Sequence, residues 1–317
     1  MFSLIKKIQE LFSRLQSNKG LFFTILSFIS VTGIILFMYL IMTMTGSIKK
    51  EVYTSIANNS AQSIEGVMKS NQDLYNNLSK IVISQDDVLA ALKSTNKNDI
   101  STLEKKYNKL FDNKTKYPIM FNFYSNLITT SNYRNTINSL LRSKSGLYGI
   151  EVQASGVYIT YIEPIFIQNK FLGLVEIKQS VHSIKKFYKM KDSLFMFMMN
   201  KKMLIKLSLK VKTGKFKSVV SQYIVKQGHY SSRFYSTLSD MDEKTFKQSL
   251  KLKYDSDDKY FRSYKQVTDV NGLDIGLFVF ADRVEKNDSF VSLVDKMVKS
   301  VTYVSLGLVI SILLFMF

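Results

Sequence analysis

The sequence predicts an α+β protein: a long N-terminal helix followed by two antiparallel-sheet modules, flanked by two transmembrane helices. Three observations predict it. Residues 21–48, LFFTILSFISVTGIILFMYLIMTMTGSI, and 300–317, SVTYVSLGLVISILLFMF, carry no charge. From Ser47 to Ile83 apolar residues recur at three- and four-residue steps, with no Pro and Gly66 as the single Gly. Residues 149–180, GIEVQASGVYITYIEPIFIQNKFLGLVEIKQS, read as three alternating runs separated by turn residues.

The elements follow in order. Residues 1–20 are a basic tail with Lys6, Lys7, Arg14 and Lys19 against Glu10. Leu4, Ile8, Leu11 and Leu15 share a helical stripe that would suit either a membrane surface or a short packing helix. The positive flank places this tail in the cytoplasm. Residues 21–46 form the first transmembrane helix, since ~20 apolar residues cross a hydrocarbon core. The run is too long for the ~7–15-residue core of a cleaved signal peptide.

Residues 47–190 make the long helix and a membrane-distal module. Val52, Ile56, Ile64, Val67, Leu74 and Leu78 stripe the helix. Ser84-Gln85-Asp86-Asp87 resembles an N-cap with an acidic first turn. Ser101-Thr102-Leu103-Glu104 fits a capping box, and that helix should stop before Pro118. YPIMFNFYSNLITTS alternates as a strand with a turn near Asn126, and NYRNTINSLLRSKSG is helical up to Gly146. Strands are expected at 149–154, 157–166 and 171–178, with Gly173 marking a bulge or a close helix contact. Val157, Ile159, Tyr161, Glu163 and Ile165 point one way; Tyr158, Thr160, Ile162 and Phe166 point the other.

Residues 191–299 make a second, membrane-proximal module. SLFMFMMNKKMLIKLS reads as a hairpin around Asn200-Lys201-Lys202. SDMDEKTFKQSLK reads as a short helix with Asp240 as cap. KYFRSYKQVTDVNGLDIGLFVFADRV is a hairpin whose Asn271-Gly272 favours a tight two-residue turn. A helix over 284–299 leads into the second transmembrane helix, 300–317.

Composition narrows the function classes. The chain has 317 residues, a formal charge of +19, no Cys and two His. Disulfides, thiolate metal sites and Cys nucleophiles are excluded, and so is a His-rich metal centre. The lysines are spread along the chain among Asn, Ser and Ile rather than gathered in a block, so no nucleic-acid partner is expected. No phosphate loop, zinc spacing or triad motif is present. His182 in SVHSIKK and His229 in KQGHYSS read as exposed loop imidazoles. The expectation is a protein that is not an enzyme and needs no cofactor or metal.

The middle of the chain resembles the double Cache sensor domains, PAS-like sheets of bacterial chemotaxis transducers and two-component sensor kinases. The resemblance lies in Gly149, Glu151, Gly156, Pro164-Ile165-Phe166, Gly173 and Val175-Glu176, and in the final VNGLDIGLFVFADRV hairpin. It covers roughly residues 40–317. The chain departs from the pattern upstream, where MFNFYSNLITTSNYRNT lacks the His and acidic residues of relatives.

The resemblance implies a small-molecule pocket between the first sheet and the segment before it. Phe123, Tyr124, Arg134, Tyr148, Glu151, Tyr158 and Tyr161 are its candidate residues; Arg134 would suit a carboxylate. Glu151, Glu163 and Glu176 lie in strands, where a salt bridge to Arg134 or Arg142 is the alternative to ligand contact. The implied function is the input module of a transmembrane receptor, bound to a small ligand outside the bacterial inner membrane. It would be a homodimer along the long helix, coupled to a cytoplasmic signalling partner or to an output domain beyond residue 317. The alternative is a membrane-anchored extracytoplasmic binding or assembly subunit without its own output.

Overall fold

The computed structural model describes residues 19–94, 96–112, 114–126, 135–190, 193–284 and 290–316. The amphipathic stripe expected within residues 1–18 lies outside them. The chain divides into two compact units, Met1–Ser55 with Glu285–Phe317, and Ile56–Val284.

Helix α1, Lys19–Ile83, contributes its first part to one unit and the remainder to the other. Among the described residues the stretch Ser27–Ile83 is the one helix long and apolar enough to cross a membrane. Its side chains Phe28, Ile35, Phe37 and Leu40 are exposed. Its hydroxyls turn back on the helix: Thr32 Oγ1 donates to Phe28 O at 2.8 Å and Thr45 Oγ1 to Ile41 O at 2.7 Å. That internal satisfaction is what a helix in hydrocarbon requires. The last helix of the chain, Phe290–Met316, exposes Tyr303, Val304 and Leu308 in the same way. Within this unit Asp295 accepts from Tyr53 at 2.9 Å and pairs with Lys49 at 2.7 Å.

In the other unit, α2 (Asp86–Ser94) and α3 (Lys97–Leu110) precede the first sheet. The cap of α3 is Asn96, whose side chain accepts from Asn98 N, rather than the expected Ser101 box. Glu104 is turned to another task and accepts from Phe123 N at 3.0 Å. The sheet consists of β1 (Met120–Ser125), β2 (Leu147–Gln153), β3 (Gly156–Ile167) and β4 (Lys170–Ser180). It is antiparallel in the order β1-β4-β3-β2. A short helix, α4 (Asn135–Ser143), lies between β1 and β2 in sequence.

One face of this sheet carries Phe121, Phe123, Val175, Ile177, Ile159 and Ile150. They share a hydrophobic cluster with Ile64 and Tyr75 of α1, Leu92 of α2 and Leu103 of α3. Gly173 meets both expectations. The β3–β4 register shifts between Ile165 and Phe166, and a Cβ at Gly173 would sit 2.4 Å from Tyr124 O and 3.1 Å from Leu92 on α2.

The second sheet has the order β6-β7-β5-β10-β9-β8, where β5 is Leu194–Asn200, β6 Phe216–Ser218 and β7 Tyr223–Lys226. The others are β8 (Tyr254–Ser256), β9 (Tyr260–Thr268) and β10 (Asp274–Arg283). Phe195, Phe197, Phe278 and Phe280 face the first cluster, while Met196, Met198, Leu277 and Val279 face a second one with Phe234, Leu238 and Phe246. Both faces are covered, which is why LFMFMM is apolar throughout rather than alternating.

Three local expectations are corrected. Asn200 does not turn a hairpin; its side chain accepts from Lys202 N and caps a 3-10 segment, Lys201–Lys206, that buries Met203. Asp242, not Asp240, caps the helix Glu243–Leu252. The β9–β10 connection is wider than a two-residue turn, because the buried Asp269 carboxylate accepts from Asn271 N at 2.8 Å and Leu273 N at 2.9 Å.

Candidate functional site

Alternation puts a second set of side chains on the other face of the first sheet. Asn122 and Tyr124 of β1 lie beside Glu176 and Lys178 of β4, then Tyr158 and Thr160 of β3, then Glu151 and Gln153 of β2. Here the strands depart from apolar content, and the polar groups meet one another. Glu176 is fully buried. Its Oε1 accepts from Gln153 Nε2 at 2.7 Å and Thr160 Oγ1 at 3.2 Å; its Oε2 accepts from Asn122 Nδ2 at 2.9 Å and Tyr124 OH at 3.1 Å. Gln153 also donates to Glu151 Oε2 at 3.0 Å and accepts from Lys178 Nζ at 2.9 Å. The Lys178 ammonium lies 3.7 Å from Glu176 and 5.0 Å from the Tyr158 ring centre. Burying a carboxylate this deeply is tolerable only with such a full set of donors.

Helix α4 sits over this face. Its Ile137 and Leu140 pack with Ile162 and Leu174, and Thr136 Oγ1 donates to Glu151 Oε1 at 2.7 Å. The face therefore has an apolar half under the helix and a polar half beside it.

A separate cavity of about 230 Å³ lies at the far end of the same strands, where both sheets contribute to its wall. Lys116, Tyr117, Tyr158 and His182 come from the side of the first sheet; Lys226 and His229 come from the side of the second. Phe197, Met199 and Leu207 supply apolar wall. Both histidines depart from the expected exposed loops. His182 is buried in a 3-10 turn after β4, and its ring stacks on that of His229 at 4.0 Å. Tyr117 OH lies 3.0 Å from His229 Nδ1. Burial, then the neighbouring His229 and Lys226, holds the His182 imidazole well below its usual range. Burial, then Lys226 and Lys116, lowers His229 to about 4. The two rings are thus neutral at pH 7. A wider, open groove of about 930 Å³ runs along α1 at Gly66, Val67 and Ser70 and past Ile184 and Phe187.

No family model matches the chain, and no curated protein matches it. Solved structures do resemble it. An extracellular domain assigned to a histidine kinase, vpHK1S-Z8, is 10% identical with a TM-score of 0.44, over 78% of this chain and 99% of that one. The sensor domain of the V. cholerae histidine kinase DctB is 14% identical with a TM-score of 0.36, over 72% and 97%. The ligand-binding domain of the Campylobacter jejuni chemoreceptor Tlp3, solved with L-norvaline, is 11% identical with a TM-score of 0.40, over 76% and 93%. The ligands belong to those proteins.

The sheet separates the residues singled out from the sequence. Tyr124, Glu151 and Tyr158 share the polar face. Phe123, Tyr148 and Tyr161 stand on the opposite face and pack toward the helices. Phe123 lies 5.5 Å from the Tyr107 ring, Tyr148 lies 6.4 Å from the Tyr75 ring, and Tyr161 OH lies 3.1 Å from Asn76 Oδ1. A single pocket cannot touch both sets. Arg134 lies outside the described residues, and Arg142 is exposed at the end of α4. Glu163 accepts from Tyr161 OH at 2.5 Å on the helix side.

Asn122, Thr136, Gln153, Thr160 and Lys178 were not anticipated; Glu176 was expected as a strand carboxylate in either ligand contact or a salt bridge, but not among the candidate pocket residues. The available signal was the two-residue period itself. Glu151 and Gln153, and Glu176 and Lys178, are polar pairs at i,i+2 inside otherwise apolar strands.

Proposed function

We propose that this chain is the ligand-sensing input module of a bacterial membrane receptor, and that the polar face of the first sheet is the floor of its ligand pocket. The observation that carries the reading is the convergence of Asn122, Tyr124, Glu151, Gln153, Thr160, Glu176 and Lys178 from four adjacent strands onto one buried patch. Small-molecule sites combine apolar wall with a few placed polar groups. Ile162, Leu174 and α4 supply the wall here, and the patch supplies both hydrogen-bond donors and acceptors. Such a floor suits a small zwitterion, amine or organic acid, with Tyr124, Glu151 and Tyr158 among the contacts and Arg134 as a candidate partner for a carboxylate.

In this reading residues 21–46 and 300–317 cross the inner membrane, the basic tail is cytoplasmic, and residues 47–190 and 191–299 form distal and proximal modules outside it. The exposed apolar helix supports the membrane assignment. Exposed Leu74 and Ile81 on α1 support pairing of two copies along that helix. The ligand acts by binding two helix arrangements with different affinity, and a cytoplasmic output reads the difference.

The test is a thermal-melt screen of the full chain in detergent against amino acids, amines and organic acids. A ligand at 100 times its Kd raises stability by about 2.7 kcal/mol. The hit should be lost in Asn122→Ala and Lys178→Met. A hit that survives both changes moves the pocket off this face and sinks the reading.

A further inference from the structure

We propose that the cavity between the two sheets, which shares Tyr158 with the polar face, is a second ligand site that takes a small monocarboxylate with an apolar body. Among the described residues no Asp or Glu lines this cavity, yet Lys116 and Lys226 both do. Neither lysine forms an ion pair among the described residues; Lys116 donates to the Gly228 carbonyl at 3.2 Å and lies 5.7 Å from the Tyr117 ring centre. Among the described residues, then, the cavity wall holds two lysines and no carboxylate.

The histidines are a second, independent sign. His182 is 7% exposed, lines the cavity, and makes ring contacts with Tyr117, Phe197 and His229. No group among the described residues hydrogen-bonds its ring nitrogens. The ring nitrogens keep some solvent access, which leaves them open to an acceptor in the cavity that His182 lines. An anion in the cavity would supply that partner. Two stacked imidazoles beside Lys116, Lys185 and Lys226 repel protons when empty, and they become good donors once a carboxylate sits among them. Tyr117 and Tyr158 also line the cavity.

Size and wall choose the anion. The volume of about 230 Å³ lies below the ~300–1,000 Å³ of drug-sized sites, so the occupant is small. Phe197, Met199, Leu207 and Val211 would leave a bare inorganic anion badly solvated and would suit an aromatic or branched aliphatic body. Because the wall comes from both sheets, an occupant here touches both at once.

The probes are sodium benzoate, neutral benzamide and inorganic phosphate, titrated calorimetrically into the full chain in nanodiscs. Benzoate should bind, with benzamide and phosphate each at least tenfold weaker. Lys116→Gln/Lys226→Gln should weaken benzoate at least tenfold, and Asn122→Ala on the polar face should leave it unchanged. Absence of benzoate binding, equal binding of benzamide or phosphate, or undiminished binding to the double lysine variant would each overturn the proposal. Benzoate binding lost in Asn122→Ala but kept in the lysine variant would assign benzoate to the polar face, overturning this site and supporting the other. A readout independent of variant folding comes from histidine itself. The chain has only two, so ring-labelled histidine gives two signals. Both should move with benzoate, and stationary signals at saturation would refute the site.

Discussion

Replacing Glu176 by Gln keeps the shape of the side chain and removes its charge, which makes it the sharpest probe of the polar face. Donors among the described residues reach the carboxylate at 2.7, 2.9, 3.1 and 3.2 Å, and Lys178 lies 3.7 Å away. Hydrogen bonds to a charged acceptor contribute about 1.5–3 kcal/mol each, against about 0.5–1.5 kcal/mol for neutral ones. Converting four of them loses about 1 kcal/mol apiece. The Tyr124 and Thr160 hydroxyls can rotate to accept from the new amide, which limits the damage. The total of about 3–5 kcal/mol agrees with the cost of breaking a buried ion pair from one side. In a unit of this size about 1 kcal/mol shifts the melting temperature by ~2–4 °C. Glu176→Gln should therefore melt about 6–20 °C lower, followed by circular dichroism of the full chain in detergent. Adding Lys178→Met should restore part of the loss, because the stranded ammonium goes with it. A shift under about 2 °C would mean that the carboxylate is solvated in solution, and the argument from a buried, donor-saturated floor would fail.

Other perturbations test the frame around the sites. Gly276→Ala should fail to fold or melt far lower, since its φ is +155° and a Cβ there would lie 2.2 Å from Met198 O; normal melting would contradict the β5–β10 register. Arg262→Met should cost about 3–5 kcal/mol, because it strands Asp255 and Asp257, which the guanidinium holds at 2.5 and 2.6 Å; urea unfolding measures it, and a loss below about 1 kcal/mol would count against the pairing. The two histidines set a pH dependence. Burial depresses both in the folded chain, so as pH falls through the ordinary value of 6.5 the unfolded chain binds protons first. Their contribution to stability is present above about 6.5 and is lost on acidification until native His229 titrates near about 4. Melting curves at pH 7.5, 6.5 and 5.5 should show the fall, and His182→Phe/His229→Phe should flatten it; an unchanged slope in the double variant would refute the assignment.

Much of the architecture is legible in the residues. The stripe from Val52 to Leu78 is a helix because apolar side chains at three- and four-residue steps share one surface, and α1 does run through it. The alternation over 157–166 names the two faces of β3 correctly, since a strand leaves no other choice. Local signals failed where a side chain answered to a distant partner. Glu104 sat at the right offset for a capping box but serves Phe123 N, and Asn200 looked like a hairpin turn but starts a 3-10 segment over a buried Met203.

The amino-acid order alone determined the apolar end segments, the long helix, the strand periods and the absence of cysteine chemistry. Each follows from the sterics and hydropathy of near neighbours, which travel with the chain wherever it folds. Only the tertiary structure decided which sheet face is packed and which is polar, and so divided Tyr158 from Tyr161. It alone brought Gln153 between Glu151 and Glu176, and stacked His182 on His229 in a cavity that no carboxylate lines among the described residues. Those groups come from strands and turns far apart in sequence. Their meeting is set by which surfaces exclude water from one another, a property of the whole fold that no short window of residues contains.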